Sequence, residues 1–178
     1  MDKNMMDWLI TVGIILFGIY ELYKGVKQYV NHMSTKKEYM ENHKQNFEAY
    51  KEYNVWAGGY GVAAVAAGIT AIYRVVVDAD YMYGAGFAML AACAIGFMLD
   101  AIVKRSAWFY EDGFFYENKF HRYRSVVKVV PRNALFPSYD VTLGNAPSMV
   151  VTRKMGELLQ DKIKENKKNK KKRIGDDE

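Results

Sequence analysis

The stretch from Val55 to Val103 constrains this chain more than any other. It holds two apolar runs, 55–77 and 82–103, separated only by Asp78-Ala79-Asp80-Tyr81. In water such a stretch has to be the core of a large domain, and 178 residues leave little chain to wrap around it. In a bilayer each run has the roughly 20 residues that a spanning helix needs. The sequence therefore reads as a transmembrane helical hairpin. A mean hydropathy of −0.21 averages over this segregation: inside 55–103 the only charged residues are Arg74, Asp78, Asp80 and Asp100.

Arg74 and Asp78 stand in an i,i+4 relation near one end of their run, as do Asp100 and Lys104 at the far end of the other. Each has a local partner and a short route to water, so the structural reading outweighs a proton relay or ion site, which is expected near the midplane. Small residues recur every four positions in both arms: Gly59, Ala63, Ala67 and Ala71 in the first, and Gly84, Ala88, Ala92 and Gly96 in the second. Residues four apart share a helix face, and membrane helices associate through close contact at such faces. The two rows are expected to pack on one another.

Upstream, Trp8–Tyr20 is apolar or hydroxylated throughout. With Met5, Met6, Leu22 and Tyr23 it approaches bilayer thickness, and Trp8, Tyr20 and Tyr23 stand where interfacial anchors belong. The acidic-leaning start and the Glu-Leu-Tyr-Lys that follows do not suit a cleaved signal peptide. Residues 5–23 thus read as a first span, with an interfacial or re-entrant helix as the alternative. Residues 24–54 form a polar segment with six lysines and four glutamates. Tyr39, His43, Phe47 and Tyr50 recur at helical spacing, so 34–53 is expected to be an amphipathic helix capped by Ser34 or Thr35. Its aromatic stripe suits either the membrane surface or the chain's own C-terminal domain. His32 and His43 have no Cys or paired carboxylate nearby, and no metal site is expected.

The lysines of 24–51, Lys104, Arg105 and the basic C-terminus fall on one side of a three-span arrangement. The acidic-leaning start and the Asp78–Asp80 turn fall on the other. Basic flanks mark the cytoplasmic side, so the N-terminus is expected outside, with 24–54 and the C-terminal domain in the cytoplasm, in the cell membrane. The single cysteine, Cys93, lies in the second apolar run and leaves the redox compartment open.

From Ser106 onward the runs are short, aromatic and β-branched. Trp108–Glu111, Asp112-Gly113 and Phe114–Glu117 read as a hairpin, in which Asp-Gly is expected to accept positive φ at both turn positions. Asn118-Lys119 offers a second turn into 120–124. Further strands are expected at 125–130, ended by Pro131, and at 139–143 and 148–152. A helix over 153–168 carries Met155, Leu158, Leu159 and Ile163 on one face. The expected fold class is a membrane protein with an α-helical transmembrane region of three spans (5–23, 55–77 and 82–103). To it is added a small cytoplasmic α+β domain over 106–166, an antiparallel sheet of about five strands capped by one C-terminal helix. A domain of this size gains from docking on another surface.

The passage FYEDGFFYENKFHRYRSVVKV, and the final strand running into VVTRKMGELLQDKI, resemble the membrane-anchored, pleckstrin-homology-like domains of uncharacterised bacterial proteins, including the YcxB-like group. Where those proteins often have a Trp before the third run, this chain has Tyr123-Arg124. The resemblance implies a binding or assembly module and transfers no catalytic residue.

Between Lys164 and Arg173 seven of ten residues are basic: Lys164, Lys167, Lys168, Lys170, Lys171, Lys172 and Arg173. Such runs are usually solvated, and 167–178 reads as a polybasic and then acidic tail. Beside a membrane, anionic lipid headgroups are its nearest partner, at about 1 kcal/mol per basic residue. Nucleic acid is unlikely, because no aromatics are interleaved for base stacking.

No phosphate-binding Gly-rich loop, Gly-x-Ser-x-Gly, His-Glu-x-x-His or Cys-x-x-Cys occurs. His121 reads by default as a solvent-facing strand residue. An enzyme is not expected, nor a cofactor. The sequence reads as a non-enzymatic multi-pass membrane protein whose cytoplasmic module and tail bind a protein partner, a second copy or anionic lipid. The alternative is a small transporter or channel subunit acting as an oligomer.

Overall fold

The computed structural model describes residues 3–42, 46–133, 137–144 and 147–175. The chain forms two compact units: Met1–Ser34 with Glu52–Val103, and Thr35–Lys51 with Lys104–Glu178.

The first unit is helical. It contains the N-terminal part of α1 (Lys3–Asn42), together with α2 (Asn54–Val76) and most of α3 (Tyr81–Lys104). Three helices, Met5–Glu41, Asn54–Val76 and Tyr81–Lys104, are long and apolar enough to cross a membrane. Their large side chains point outward: Trp8, Leu16, Val62 and Ile69 are each more than 60% exposed. The α2–α3 turn follows its sequence. Arg74 Nη1 pairs with Asp78 Oδ2 at 2.9 Å, Ala79 takes φ 53°, and Asp80 Oδ1 accepts the Tyr83 N–H at 3.2 Å, the work of a helix cap.

The small-residue rows meet over part of their length only. A Cβ on Gly84 would collide with Val75 Cγ2 and lie 3.4 Å from the Ala71 carbonyl oxygen, so Ala71 and Gly84 do face one another. Gly96 instead faces α1: a Cβ there would lie 3.3 Å from the Glu21 carbonyl oxygen, and a Cβ on Gly25 would come within 2.9 Å of Gly96 Cα. Gly18 approaches Met89 in the same way. Gly59, Ala63 and Ala88 are exposed, and nothing lies within 4 Å of a Cβ built on Gly59; Ala67 and Ala92 are half-buried. An i,i+4 row drifts about 40° per step on a helix of 3.6 residues per turn. The α3 row therefore winds from α2 at Gly84 to α1 at Gly96, which corrects the expectation of two rows matched end to end.

Helix α1 corrects a second expectation. It is one helix through Asn42, with Ser34 and Thr35 inside it rather than capping a new one. No proline, and no glycine after Gly25, interrupts it, so nothing ends the ladder of backbone bonds. The predicted helix over 34–53 stops there, and β1 (Glu48–Lys51) is a strand.

In the second unit β1 is the edge of a four-stranded antiparallel sheet. The others are β2 (Ser106–Phe109), β3 (Gly113–Tyr116) and β4 (Lys119–Arg122), in the order β1-β2-β3-β4. Lys51 pairs with Ser106 and Glu48 with Phe109. A short 3₁₀ turn, Tyr123–Ser125, leads into a three-stranded antiparallel sheet of β5 (Val126–Arg132), β6 (Ser138–Leu143) and β7 (Met149–Thr152). Pro131 sits inside β5, where it is tolerated because β5 is an edge strand. The domain thus has seven strands in two sheets, and it begins before the apolar hairpin rather than at residue 106.

The Asp112-Gly113 turn forms without positive φ at either residue. Glycine is required there by close approach: a Cβ on Gly113 would meet the His121 carbonyl oxygen and, at 2.9 Å, Arg122 Cα. The core lies between the sheets, with Phe109, Phe114, Tyr116, Val141 and Val151 buried beneath Met155 and Leu159 of α4 (Arg153–Gly175). Gly156 lets α4 settle on the Tyr139 ring, whose Cδ2 would lie 2.6 Å from any Cβ there. The outer face of the four-stranded sheet carries a second cluster, Trp108, Tyr110 and Phe115, closed by Tyr39 of α1. Tyr39 stacks on Phe120 at 4.9 Å, and Lys36 Nζ sits 4.0 Å over the Trp108 ring. Tyr39, Phe47 and Tyr50 of the aromatic stripe therefore pack on the C-terminal domain, while His43 lies outside the described residues.

Candidate functional site

The basic run is part of α4, which continues to Gly175, so no separate tail begins at residue 167. Lys164, Lys167 and Lys168 are exposed along it; Lys164 Nζ is 3.5 Å from Asp161 Oδ1. The side chains of Lys170, Lys171, Lys172 and Arg173 lie outside the described residues.

Two clefts open in the second unit. The first, about 670 Å³, is bordered by the β2–β3 turn, the start of β1 and α4. Its charged lining is Glu48, Glu111, Asp112 and Glu165 against Lys162. Lys162 Nζ is held by Glu48 Oε2 at 2.7 Å and lies 3.8 Å from Glu165. Asn166 Nδ2 donates to the Glu111 carbonyl at 2.6 Å, and the Tyr123 hydroxyl to the Tyr110 carbonyl at 3.0 Å. Burial, and then Asp112, Glu165 and Glu48, push the Tyr123 phenol well above its ordinary range. This field repels anions.

The second cleft, about 590 Å³, has the opposite character. Lys104, the last residue of α3, joins the β3–β4 turn, Lys119 and His121 of β4, and residues 147–150 at the start of β7. Tyr116, buried on its floor, donates its hydroxyl to the Lys104 carbonyl at 3.1 Å, with the Val150 carbonyl at 3.4 Å. Glu117 turns the chain with φ 53°. Lys119 and His121 share a face by strand alternation, and the register pairs His121 with Phe114. His121 is half-buried with its ring 5.4 Å from the Phe114 ring, rather than facing solvent as the strand pattern alone implied. Burial, and then the Lys119 ammonium, lower its pKa below the ordinary 6.5, so the imidazole is neutral at pH 7. Sequence reasoning missed this cleft because its parts come from segments up to 46 positions apart; the one local signal was the alternation of Lys119 and His121 beside an aromatic strand.

No cluster of three or more His, Cys, Asp or Glu side chains suited to a metal occurs among the described residues; His32 is buried in α1. No family model, curated protein or solved structure matches the chain.

Proposed function

We propose that the chain is a non-enzymatic integral membrane protein of a bacterial cell membrane, with three spans, an outer N-terminus and a cytoplasmic C-terminal module that holds anionic lipid headgroups through α4. The observation that carries this reading is the continuity of α4. Met155 and Leu159, both 0% exposed, fix its first half in the core, and the same helix then displays Lys164, Lys167 and Lys168 to solvent. A basic helix held in this way approaches a negative surface without a further cost of ordering. Connectivity supports the membrane part. Only Glu52-Tyr53 separate β1 from α2, and only Arg105 separates α3 from β2. Residues span at most about 3.6 Å each, so neither connection is a long linker. A four-stranded and a three-stranded antiparallel sheet followed by one helix also support the pleckstrin-homology-like reading.

The test is hydrogen exchange of residues 164–175 in the full chain. In nanodiscs of phosphatidylglycerol these amides are expected to exchange more slowly than in phosphatidylcholine, and the difference should vanish in Lys164→Gln/Lys167→Gln/Lys168→Gln. Equal exchange in both lipids would remove the basis of the proposal. A second reading, an oligomeric channel or transporter subunit, is favoured by the uncovered Gly58 and Gly59 of α2; crosslinking through that face tests it.

A further inference from the structure

We propose that the wedge between the first halves of α1 and α3 is a binding site for one lipid acyl chain. Lipid reaches it only if the membrane reading above holds, and that reading puts this end of both helices in the outer half of the bilayer. The wedge follows from where the two helices touch. A Cβ on Gly18 would lie 3.2 Å from Met89 Cα, and one on Gly25 would lie 2.9 Å from Gly96 Cα. From 18 to 25 and from 89 to 96 the step is the same, so α1 and α3 run parallel and in register. Toward their N-terminal ends the contact lapses: nothing lies within 4 Å of a Cβ built on Gly13 of α1 or on Gly86 of α3. A cleft of about 340 Å³ opens there, between Ile14 on one side and Tyr83, Gly86, Phe87 and Leu90 on the other. Met89, which also lines it, is the residue that meets Gly18.

Chemistry and size select the occupant. Apart from the Tyr83 hydroxyl, the lining side chains carry no N–H or O–H group, so a ligand that needs polar partners gains nothing here. The α3 wall from Met82 to Leu90 is about 12 Å long at 1.5 Å per residue, which gives the cleft a mean section of about 28 Å². A helix of a second copy, about 10 Å across, has a section of about 80 Å² and does not fit. An extended hydrocarbon chain, one methylene wide, does. Arg74 stands beside this end of α3, its Cζ 5.9 Å from the Tyr83 ring, but Asp78 already holds its guanidinium. The site therefore selects a chain rather than a headgroup charge. Bulk lipid is as apolar as the wedge, so what the chain gains is close contact with concave walls. That gain is modest, about fivefold over a flat lipid-facing surface.

The test uses the full chain in phosphatidylcholine nanodiscs doped with a phosphatidylcholine whose acyl chain carries a diazirine. After illumination, mass spectrometry maps the crosslinks on the wedge and on the exposed face of α2 at Val62, Val65 and Ile69. The wedge is expected to carry about fivefold more label than α2. Gly86→Leu, which projects into space free of protein atoms, and Ile14→Trp from the opposite wall should each level the two surfaces while circular dichroism stays unchanged. A phosphatidylglycerol probe should give the same enrichment. Equal labelling of wedge and α2 in the native chain, enrichment that survives both substitutions, or enrichment confined to one headgroup overturns the proposal. Label on neither surface contradicts the membrane reading as well, so the two failures are told apart by α2.

Discussion

Glu48 Oε2 and Lys162 Nζ lie 2.7 Å apart, joining the first strand of the C-terminal domain to its last helix across more than a hundred residues of chain. In the sequence the apolar hairpin lies between these two residues. The hydrogen bond to Glu48, as the largest cause, raises the Lys162 pKa above 10.5. A lysine raised in the folded state contributes stability that is fully present below its unfolded value and is lost as pH rises through the folded one. Because the Glu48 side chain is 60% exposed, the pair is worth only about 0.5 kcal/mol. A double-mutant cycle of Glu48→Gln and Lys162→Met in the full chain should give that coupling at pH 8 and none above pH 12. Coupling that persists above pH 12 would show that packing rather than charge joins the two elements.

Tyr39 supplies a second titration. Burial, followed by Asp112 and Tyr110, pushes its phenol up to about 12 from 10.0, and Tyr123 is pushed up in the same direction. A raised folded pKa means stability present below pH 10 and lost progressively above it. Denaturant midpoints should therefore fall between pH 9.5 and 11.5, and fall less in Tyr39→Phe. Equal slopes for the two proteins would mean that Tyr39 is not closed over the outer face of the sheet.

The helix contacts predict a graded response to bulk. Gly96→Leu, placed against the backbone of Glu21 and Gly25, and Gly84→Leu, placed against Ala71 and Val75, should each lower the detergent melting temperature. Overpacking of this kind costs about 1–3 kcal/mol. Gly59→Leu, with nothing within 4 Å, should leave the temperature unchanged. A loss at Gly59 equal to that at Gly96 would mean that the exposed face of α2 is covered by another copy.

What the sequence discloses here is what lies close along the chain. The apolar hairpin, its Arg74–Asp78 pair and the strand pair around Asp112-Gly113 were legible because periodicity and i,i+4 spacing report them directly. The pairing of β1 with β2 was not, because 54 positions separate Lys51 from Ser106 in the chain although the two are neighbours in the sheet, and an alternation over four residues is too short to stand out. The basic run of α4 was legible as helix only as far as Lys168, and its continuation to Gly175 was not, since lysine-rich runs have the same composition whether ordered or solvated. The role of Gly113 was hidden for a different reason. Its need arises from the backbone of β4, which no local pattern shows.

The claim on which the rest depends is that Asp78–Tyr81 and the C-terminal module lie on opposite sides of a bilayer. In a Cys93→Ser background, Ala79→Cys and Lys168→Cys place single thiols at two exposed positions. In intact cells a membrane-impermeant maleimide is expected to label position 79 and not position 168, with the pattern reversed in inside-out vesicles. Labelling of both positions from the same side would contradict the three-span arrangement.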